Sequence, residues 1–306
     1  MIRYILAAQA LRFFSINDAT MGLYRKLGNW AGGKSRAKAI PPHYIGRADA
    51  NLKFIESLGA IRDGMTILEL GTGWAHWEAL FTRLFYDVRG YIFDVWDNRQ
   101  FGGFLQYAAQ LRARLYDEVD RPRDQLDRAA ALLDQILKCT GFDELYALLG
   151  FTYVVDANGK LDAVPDQAID LVISSDVLEH IPPVGLKQLV GDLRRVMKPG
   201  GICAAQIVQE DHLRIYDWAV HTKNYMRYSD FVWKMFFENR VQYINRLQHS
   251  DYVALFDKDF DIVSEGVVAS AKELPFAIAP RFRQYSESDL KAGVTRIAAR
   301  QPAIAA

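Results

Sequence analysis

Residues Thr66 to Trp77 read TILELGTGWAHW, an apolar run that carries Glu69 and leads into Gly71, Thr72 and Gly73. Glycine tolerates backbone angles and a close ligand approach that a Cβ forbids. Trp77, Leu80, Phe81, Leu84 and Phe85 then recur at helical spacing, so the glycines occupy a strand-to-helix turn. Such a turn presents N–H groups of a helix start to an anion. Further on, Asp94 stands where a second strand should end; an acid about twenty residues beyond the glycines can accept hydrogen bonds from both hydroxyls of a ribose. The pattern is therefore a small-molecule cradle. A dinucleotide fingerprint needs glycine or alanine three residues after the second glycine, and His76 occupies that position.

The chain that must position these groups has 306 residues, 50% of them hydrophobic, enough for one elaborated domain with a large core. Its formal charge is zero, which removes a whole-chain argument for nucleic acid. Cys139 and Cys203 are too few for a disulfide framework, no Cys/His cluster has zinc spacing, and a reducing cytoplasm fits this usage. The N-terminal MIRYILAAQALRFF is interrupted by Arg12 and no small-residue cleavage site follows, which argues against a secretory signal. Met1 to Ala50 is basic: Arg3, Arg12, Arg25, Lys26, Lys34, Arg36, Lys38 and Arg47 face only Asp18 and Asp49. This segment reads as a helical lid or flanking element over 1–60, and its basic apolar character leaves open a peripheral contact with the inner membrane face. Gly32 to Ser35 and Pro41-Pro42 are expected to separate its helices, with a helix from about Ile45 to Leu58.

Arg89-Gly90 is expected to end one element, and Tyr91 to Val95 reads as the second strand, with Asp97 the alternative to Asp94 and Trp96 placed to lie against a flat ring. Over 101–150, Phe104, Tyr107, Ala108, Leu111 and Leu115 form one helical stripe and Leu126, Ala130, Leu133 and Leu137 another, a helical insertion that could cover the core, shape a pocket or mediate a homodimer. Phe151 to Val155 is a strand ending at Asp156, with Asp162 behind it. Asp170 to Asp176, DLVISSD, is a buried-type strand followed by VLEHIPP, and an amphipathic helix stops at Lys198-Pro199-Gly200-Gly201 before a strand from Ile202 to Val208. Trp233, Phe236, Phe237, Val241, Ile244 and Leu247 predict a long helix. Asp261 to Val268 and Val294 to Ala299 supply two further β-rich runs, Arg281, Arg283 and Tyr285 between them could meet an anion, and the alanine-rich tail after Arg300 should fray.

Glu69-x-Gly71-x-Gly73 with Ala75, DLVISSDVLEHIPP and the KPGG stop together resemble the class I S-adenosylmethionine-dependent methyltransferases. The resemblance implies an α/β fold, a Rossmann-like doubly wound seven-stranded mixed sheet with an antiparallel last strand, over 61–306. It implies S-adenosylmethionine as cofactor and S-adenosylhomocysteine as product, held by Glu69, Gly71, Thr72, Gly73, Asp94, Trp96, Asp156 and Ser175. Ser174, Ser175 and Asp176 would line the pocket for the transferred methyl group, and Glu179-His180 is a recurrent pair of that family. In the polar cluster from Glu210 to Tyr228, His212 is the preferred general base, since methyl transfer to a hydroxyl must shed a proton near neutral pH. Asp176 or Asp217 could orient or replace it, and His221 comes next. DHLRIYDWAVHTKNYMRYSD and NRVQYINRLQHSDY resemble, more loosely, methyltransferases of surface-polysaccharide biosynthesis. The expectation is an O-methyltransferase for a sugar, nucleotide sugar or glycan, against a phenol or amine methyltransferase and a non-catalytic assembly partner. A divalent metal is left open by the carboxylates near His212.

Overall fold

The computed structural model describes residues 1–36 and 40–303; Lys38 and the last residues of the alanine-rich tail lie outside them. Three helices come first: α1 (Ile2–Phe14), α2 (Asp18–Arg36) and α3 (Pro42–Ser57). Gly32 to Ser35 does not separate helices as expected but lies within α2, since single glycines cost a helix only about 1 kcal/mol each. Pro41 is the N-cap of α3 and Pro42 its first residue, where a fixed φ and a missing N–H do no harm.

Strand β1 (Thr66–Leu70), helix α4 (Trp77–Phe85) and strand β2 (Arg89–Asp94) follow. The insertion is helical throughout, as α5 (Phe101–Glu118), α6 (Arg123–Ile136) and α7 (Phe142–Leu149). Then come β3 (Phe151–Val155), β4 (Ile169–Ser175), α8 (Pro183–Val196), β5 (Met197–Val208), α9 (Asp230–Phe236), α10 (His249–Phe256), β6 (Asp261–Ser270), α11 (Glu287–Lys291) and β7 (Ala292–Arg300). The strands form one seven-stranded sheet in the order β3-β2-β1-β4-β5-β7-β6. Its first four strands pair in parallel, with Thr66 opposite Arg89, Ile67 opposite Leu171 and Gly90 opposite Phe151. β7 runs against β5: Gln209 N donates to Gly293 O at 2.8 Å at one end, and Gln301 N to Gly201 O at 2.8 Å at the other.

Three boundaries differ from the sequence reading. Gly90 does not end an element but sits inside β2, where a Cβ would lie 1.9 Å from Ile67 O, so only glycine lets β1 and β2 approach. The KPGG segment belongs to the start of β5, and Gln301 in the expected frayed tail is tied to it through Gly200 N at 2.9 Å. The predicted long helix from Trp233 stops at Phe236. Asn239 accounts for this: its Nδ2 donates to Phe237 O at 3.1 Å and its Oδ1 accepts from Gln242 N at 2.7 Å, a local alternative to the helical ladder. Trp233, Phe237 and Ile244 are buried nevertheless.

Packing divides the chain into two compact units, one of Met1–Trp30, Asp176–Lys187 and Gln206–Ala298, the other of Ala31–Ser175, Gln188–Ala205 and Ala299–Ala306. In the first, Tyr4, Ala8 and Leu11 of α1 join Leu213, Trp233 and Phe282 in one apolar cluster. In the second, the predicted stripe Phe104, Tyr107, Ala108, Leu111 and Leu115 is buried, α5 packs on α3 and α6, and α6 packs on α4. Arg121 ties the insertion down through Asp49 and Glu56 of α3 at 3.3 and 2.5 Å and lies over the Phe85 ring. Among the described residues no helix is long and apolar enough to cross a membrane.

Candidate active site

β1 delivers the glycine turn. Gly71 and Gly73 both take positive φ, 65° and 59°, which a Cβ would strain. Glu69 points into the protein: one carboxylate oxygen accepts from Thr72 Oγ1 at 2.6 Å and the other from Glu78 N at 3.1 Å. Burial pushes its carboxyl up to about 8. Glu69 and Thr72 therefore shape the turn from behind, and the glycine backbone forms its surface.

Thr72 also meets His76, which stands where a dinucleotide fingerprint would carry glycine or alanine. Because Thr72 Oγ1 donates to Glu69, it accepts from His76 Nδ1 at 3.0 Å, and His76 Nε2 then accepts from Tyr146 of α7 at 2.9 Å. Burial first, then the charge of Arg99, pulls this imidazole down to about 3. His76 also touches Phe104, Phe142 and Tyr153, so the histidine packs between the insertion and β3.

Asp94 ends β2 beside the second glycine. Its Oδ2 accepts from Gly73 N at 2.9 Å and its Oδ1 from Val95 N at 2.7 Å. A carboxylate has about four acceptor positions, so these bonds are compatible with a ribose diol. Asp97, the alternative, is bound by Arg99 at 2.7 Å, which holds its carboxyl below the usual range. The half-buried Trp96 follows on the same tip, its carbonyl accepting from Tyr153 at 3.5 Å. Asp156 lies on the neighbouring strand end, where its N donates to Asp94 O at 3.2 Å; its Oδ1 accepts from Asn158 N and Lys160 N, closing the Asn158-Gly159 turn. Asp162 is exposed.

At the end of β4, Ser174 is buried and Ser175 Oγ accepts from Asn51 Nδ2 of α3 at 2.8 Å. Asn51 also approaches Glu78, which Arg47 holds at 3.1 Å. The sequence reading missed this group. A polar residue on the buried face of an otherwise apolar helix was its only signal.

The other unit carries the candidate proton-handling groups. Asp176 sits at φ 59°, an uncommon conformation for a non-glycine residue, and takes the Gln206 amide at 3.1 Å. Val177 leads into a single 3₁₀ turn, Leu178–His180. Glu179 is buried there and accepts from Val208 N at 3.4 Å. His180 Nδ1 donates to Tyr243 O at 2.7 Å, which leaves the lone pair on Nε2. The His212 ring stacks on His180 at 4.8 Å, and burial with the His180 charge pulls His212 down to about 3. His212 is thus neutral near pH 7, and burial lowers the His180 imidazole as well. One ligand atom from each of Glu179, His180 and His212 lies within 4.8 Å of the others, a set that could hold a divalent ion. Zinc spacing in the sequence gave no sign of it, because His212 lies on a different element from Glu179-His180.

Asp217 is drawn to the N-terminal ammonium, which lowers its carboxyl, and the partner stacked on His212 is His180. His221 accepts from Lys223 N through Nδ1 at 3.0 Å and lines a cavity of about 550 Å³ with Glu210, Arg214, Trp218, Arg227, Lys272 and Phe276 among its walls. Arg214 lies over Trp218 at 4.8 Å and Arg227 over Phe276 at 5.4 Å. Lys223 is fully buried, and burial drops its ammonium to about 7. Arg281 does not stand open to an anion: it pairs with Asp230 at 2.7 Å, and Tyr285 donates to Asp251.

A family profile described as a methyltransferase domain matches residues 43–261. No curated protein matches the sequence. Among solved structures, phosphoethanolamine N-methyltransferase 2 of Haemonchus contortus aligns at 15% identity and a TM-score of 0.47, over 83% of this chain and 52% of that one. The chain thus spans about half the length of that protein. A protein of Pyrococcus horikoshii OT3 aligns at 14% identity, TM-score 0.49, over 85% and 92% of the two chains. A methyltransferase of Methanosarcina mazei dependent on S-adenosylmethionine aligns at 16% identity, TM-score 0.44, over 81% and 98%. With the profile covering most of the sequence and the glycine turn, the strand-end acid and the sheet order in place, the chain belongs to the class I S-adenosylmethionine-dependent methyltransferases.

Proposed function

We propose that this methyltransferase acts on a hydroxyl of an anionic sugar-like acceptor, a nucleotide sugar or glycan of polysaccharide biosynthesis. The observation that carries the proposal is the cavity of about 550 Å³, where Arg214, Arg227 and Lys272 outnumber Glu210 and two of the cations are stacked on aromatic rings. Aromatic faces bind sugar rings, and guanidinium groups bind phosphate or carboxylate.

When bound, S-adenosylmethionine would supply an electrophilic methyl group, and the acceptor oxygen would form its bond to that carbon at the expense of the carbon–sulfur bond. The oxygen gains positive charge as its bond to carbon forms, so its proton becomes far more acidic than that of an imidazolium. A neutral histidine with a lowered pKa can therefore accept it; His212 is the proposed acceptor of that proton for a hydroxyl that reaches past the cavity, which His212 does not line, and His221, which does line it, is next. The cofactor supplies the methyl group and leaves as S-adenosylhomocysteine. Gly71, Gly73 and Asp94 would hold its amino-acid and ribose portions.

Transfer of labelled methyl from S-adenosylmethionine to a panel of nucleotide sugars, glycans, phenols and amines tests the reading. Labelled nucleotide sugar or glycan, with KM raised by Arg214→Ala and Arg227→Ala, is the expected result. Turnover confined to amines or phenols would overturn it, and cofactor binding without transfer to any acceptor would favour an assembly role.

A further inference from the structure

We propose that the outer face of α1 with α9 docks on an anionic lipid surface. The inner face of α1 is committed: Tyr4 and Ala8 are fully buried, and Tyr4 donates to the buried Asp211 at 2.7 Å. The residues left outside are apolar nonetheless. Ile2, Leu6 and Phe13 are 76%, 64% and 59% exposed, and Ile16 in the next turn 66%. Spacings of four and seven place Ile2, Leu6 and Phe13 on one helix face.

Helix α9 extends the same surface. Gln9 of α1 donates to Phe236 O at 2.7 Å, and Arg12 donates to Lys234 O at 2.8 Å and Glu238 O at 3.1 Å, so the two helices lie side by side. Phe231 and Phe236 of α9 are 71% and 50% exposed. Monomeric soluble proteins rarely show so many large apolar side chains together.

Charge selects the occupant. Arg3 on α1, Lys26 on α2 and Lys234 on α9 are exposed, and Met1 to Ala50 carries only Asp18 and Asp49 as acids. Of the acids beside this face, Asp18 is paired with Arg240 at 2.8 Å, Asp217 with the N-terminal ammonium, and Asp230 of α9 with Arg246 and Arg281 at 2.6 and 2.7 Å. A second copy would bring the same cations against these, whereas anionic headgroups would meet them with opposite charge while the aliphatic and aromatic side chains enter the headgroup–acyl boundary.

The test is co-sedimentation of the full chain with phosphatidylcholine vesicles, with and without phosphatidylglycerol, across a salt series. Expected is binding that requires phosphatidylglycerol and weakens with salt. Leu6→Glu with Phe13→Glu should lower partitioning by on the order of ten-fold or more, and Lys26→Glu by roughly five-fold per unit of charge removed. Unchanged circular dichroism and unchanged S-adenosylhomocysteine affinity would show that these variants fold. Wild-type binding by the double variant, or equal binding to both vesicle types, overturns the proposal. So does a dimer in light scattering that Leu6→Glu dissociates when no vesicle binding occurs, since the face would then belong to a second copy. The acceptor panel is read without vesicles, so either reading can fail while the other stands.

Discussion

Replacing Asp94 with alanine should weaken S-adenosylhomocysteine binding by on the order of 100-fold. Asp94 is 8% exposed, so solvent screens its bonds little. Each hydrogen bond from a ribose hydroxyl to a carboxylate is worth roughly 1.5–3 kcal/mol, and two of them, discounted for rearranged water, give about 3 kcal/mol, or about two decades in Kd. The same substitution strands Gly73 N, which now donates to Asp94 at 2.9 Å, and this loosens the turn as well. Asp94→Asn separates the two effects, because an amide oxygen still accepts from Gly73 N while its NH₂ offers a donor where a hydroxyl expects an acceptor. Its affinity should fall between those of wild type and Asp94→Ala. Calorimetric titration of the three proteins with S-adenosylhomocysteine measures this, and Asp97→Ala is the control. The reasoning is refuted if Asp94→Ala binds within about three-fold of wild type, well inside the margin expected for even one charged hydrogen bond. A large loss in Asp97→Ala instead would transfer the ribose to that residue.

Three other outcomes follow from the same geometry. Gly90→Ala places a Cβ 1.9 Å from Ile67 O and should cost about 3 kcal/mol or more in denaturant unfolding, since the obstacle is strand backbone that cannot rotate aside; near-wild-type stability would contradict the strand spacing. Glu69 has a folded-state value of about 8 against an unfolded value of about 4.3, so the folded form holds its proton longer. Its stabilising share is complete below about pH 4 and is lost as pH rises through 8, and Glu69→Gln should gain stability relative to wild type over that interval. Parallel denaturation curves at every pH would refute the assignment. His212→Ala should lower turnover with saturating acceptor by about 10²–10⁴-fold without changing S-adenosylhomocysteine affinity. Under the base reading a chelator leaves wild-type turnover intact, whereas a chelator that reproduces the His212→Ala loss would assign the Glu179, His180 and His212 group to a metal.

The cradle was legible because its chemistry is local. Two glycines, a preceding acid and a strand-end aspartate lie within a few residues of sheet positions that an apolar pattern marks well. Helix stripes in the insertion were equally plain, since Leu111 and Leu115 are buried by period alone. What escaped the sequence depends on long-range partners. Glu69 and Thr72 could be placed in the turn, but not turned inward toward Glu78 N. Asn51 meets Ser175 only because α3 crosses the end of β4. The supposed helix after Trp233 failed for the opposite reason: its apolar spacing reports burial, and one asparagine decides the backbone. Nothing in the spacing of Glu179, His180 and His212 foretold that their ligand atoms meet.

The His76 relay makes the insertion part of the cofactor turn's mechanics. One bond of the imidazole holds Thr72 and the other holds Tyr146 on α7, so any ligand that stills the glycine turn also restrains a helix absent from the minimal sheet. Thermodynamic reciprocity then works in the other direction: a substitution on α7 that removes the Tyr146 bond to His76 is expected to change the affinity of a ligand that orders the glycine turn. An α7 helix transplanted without His76 would lose its hydrogen-bonded link to the glycine turn.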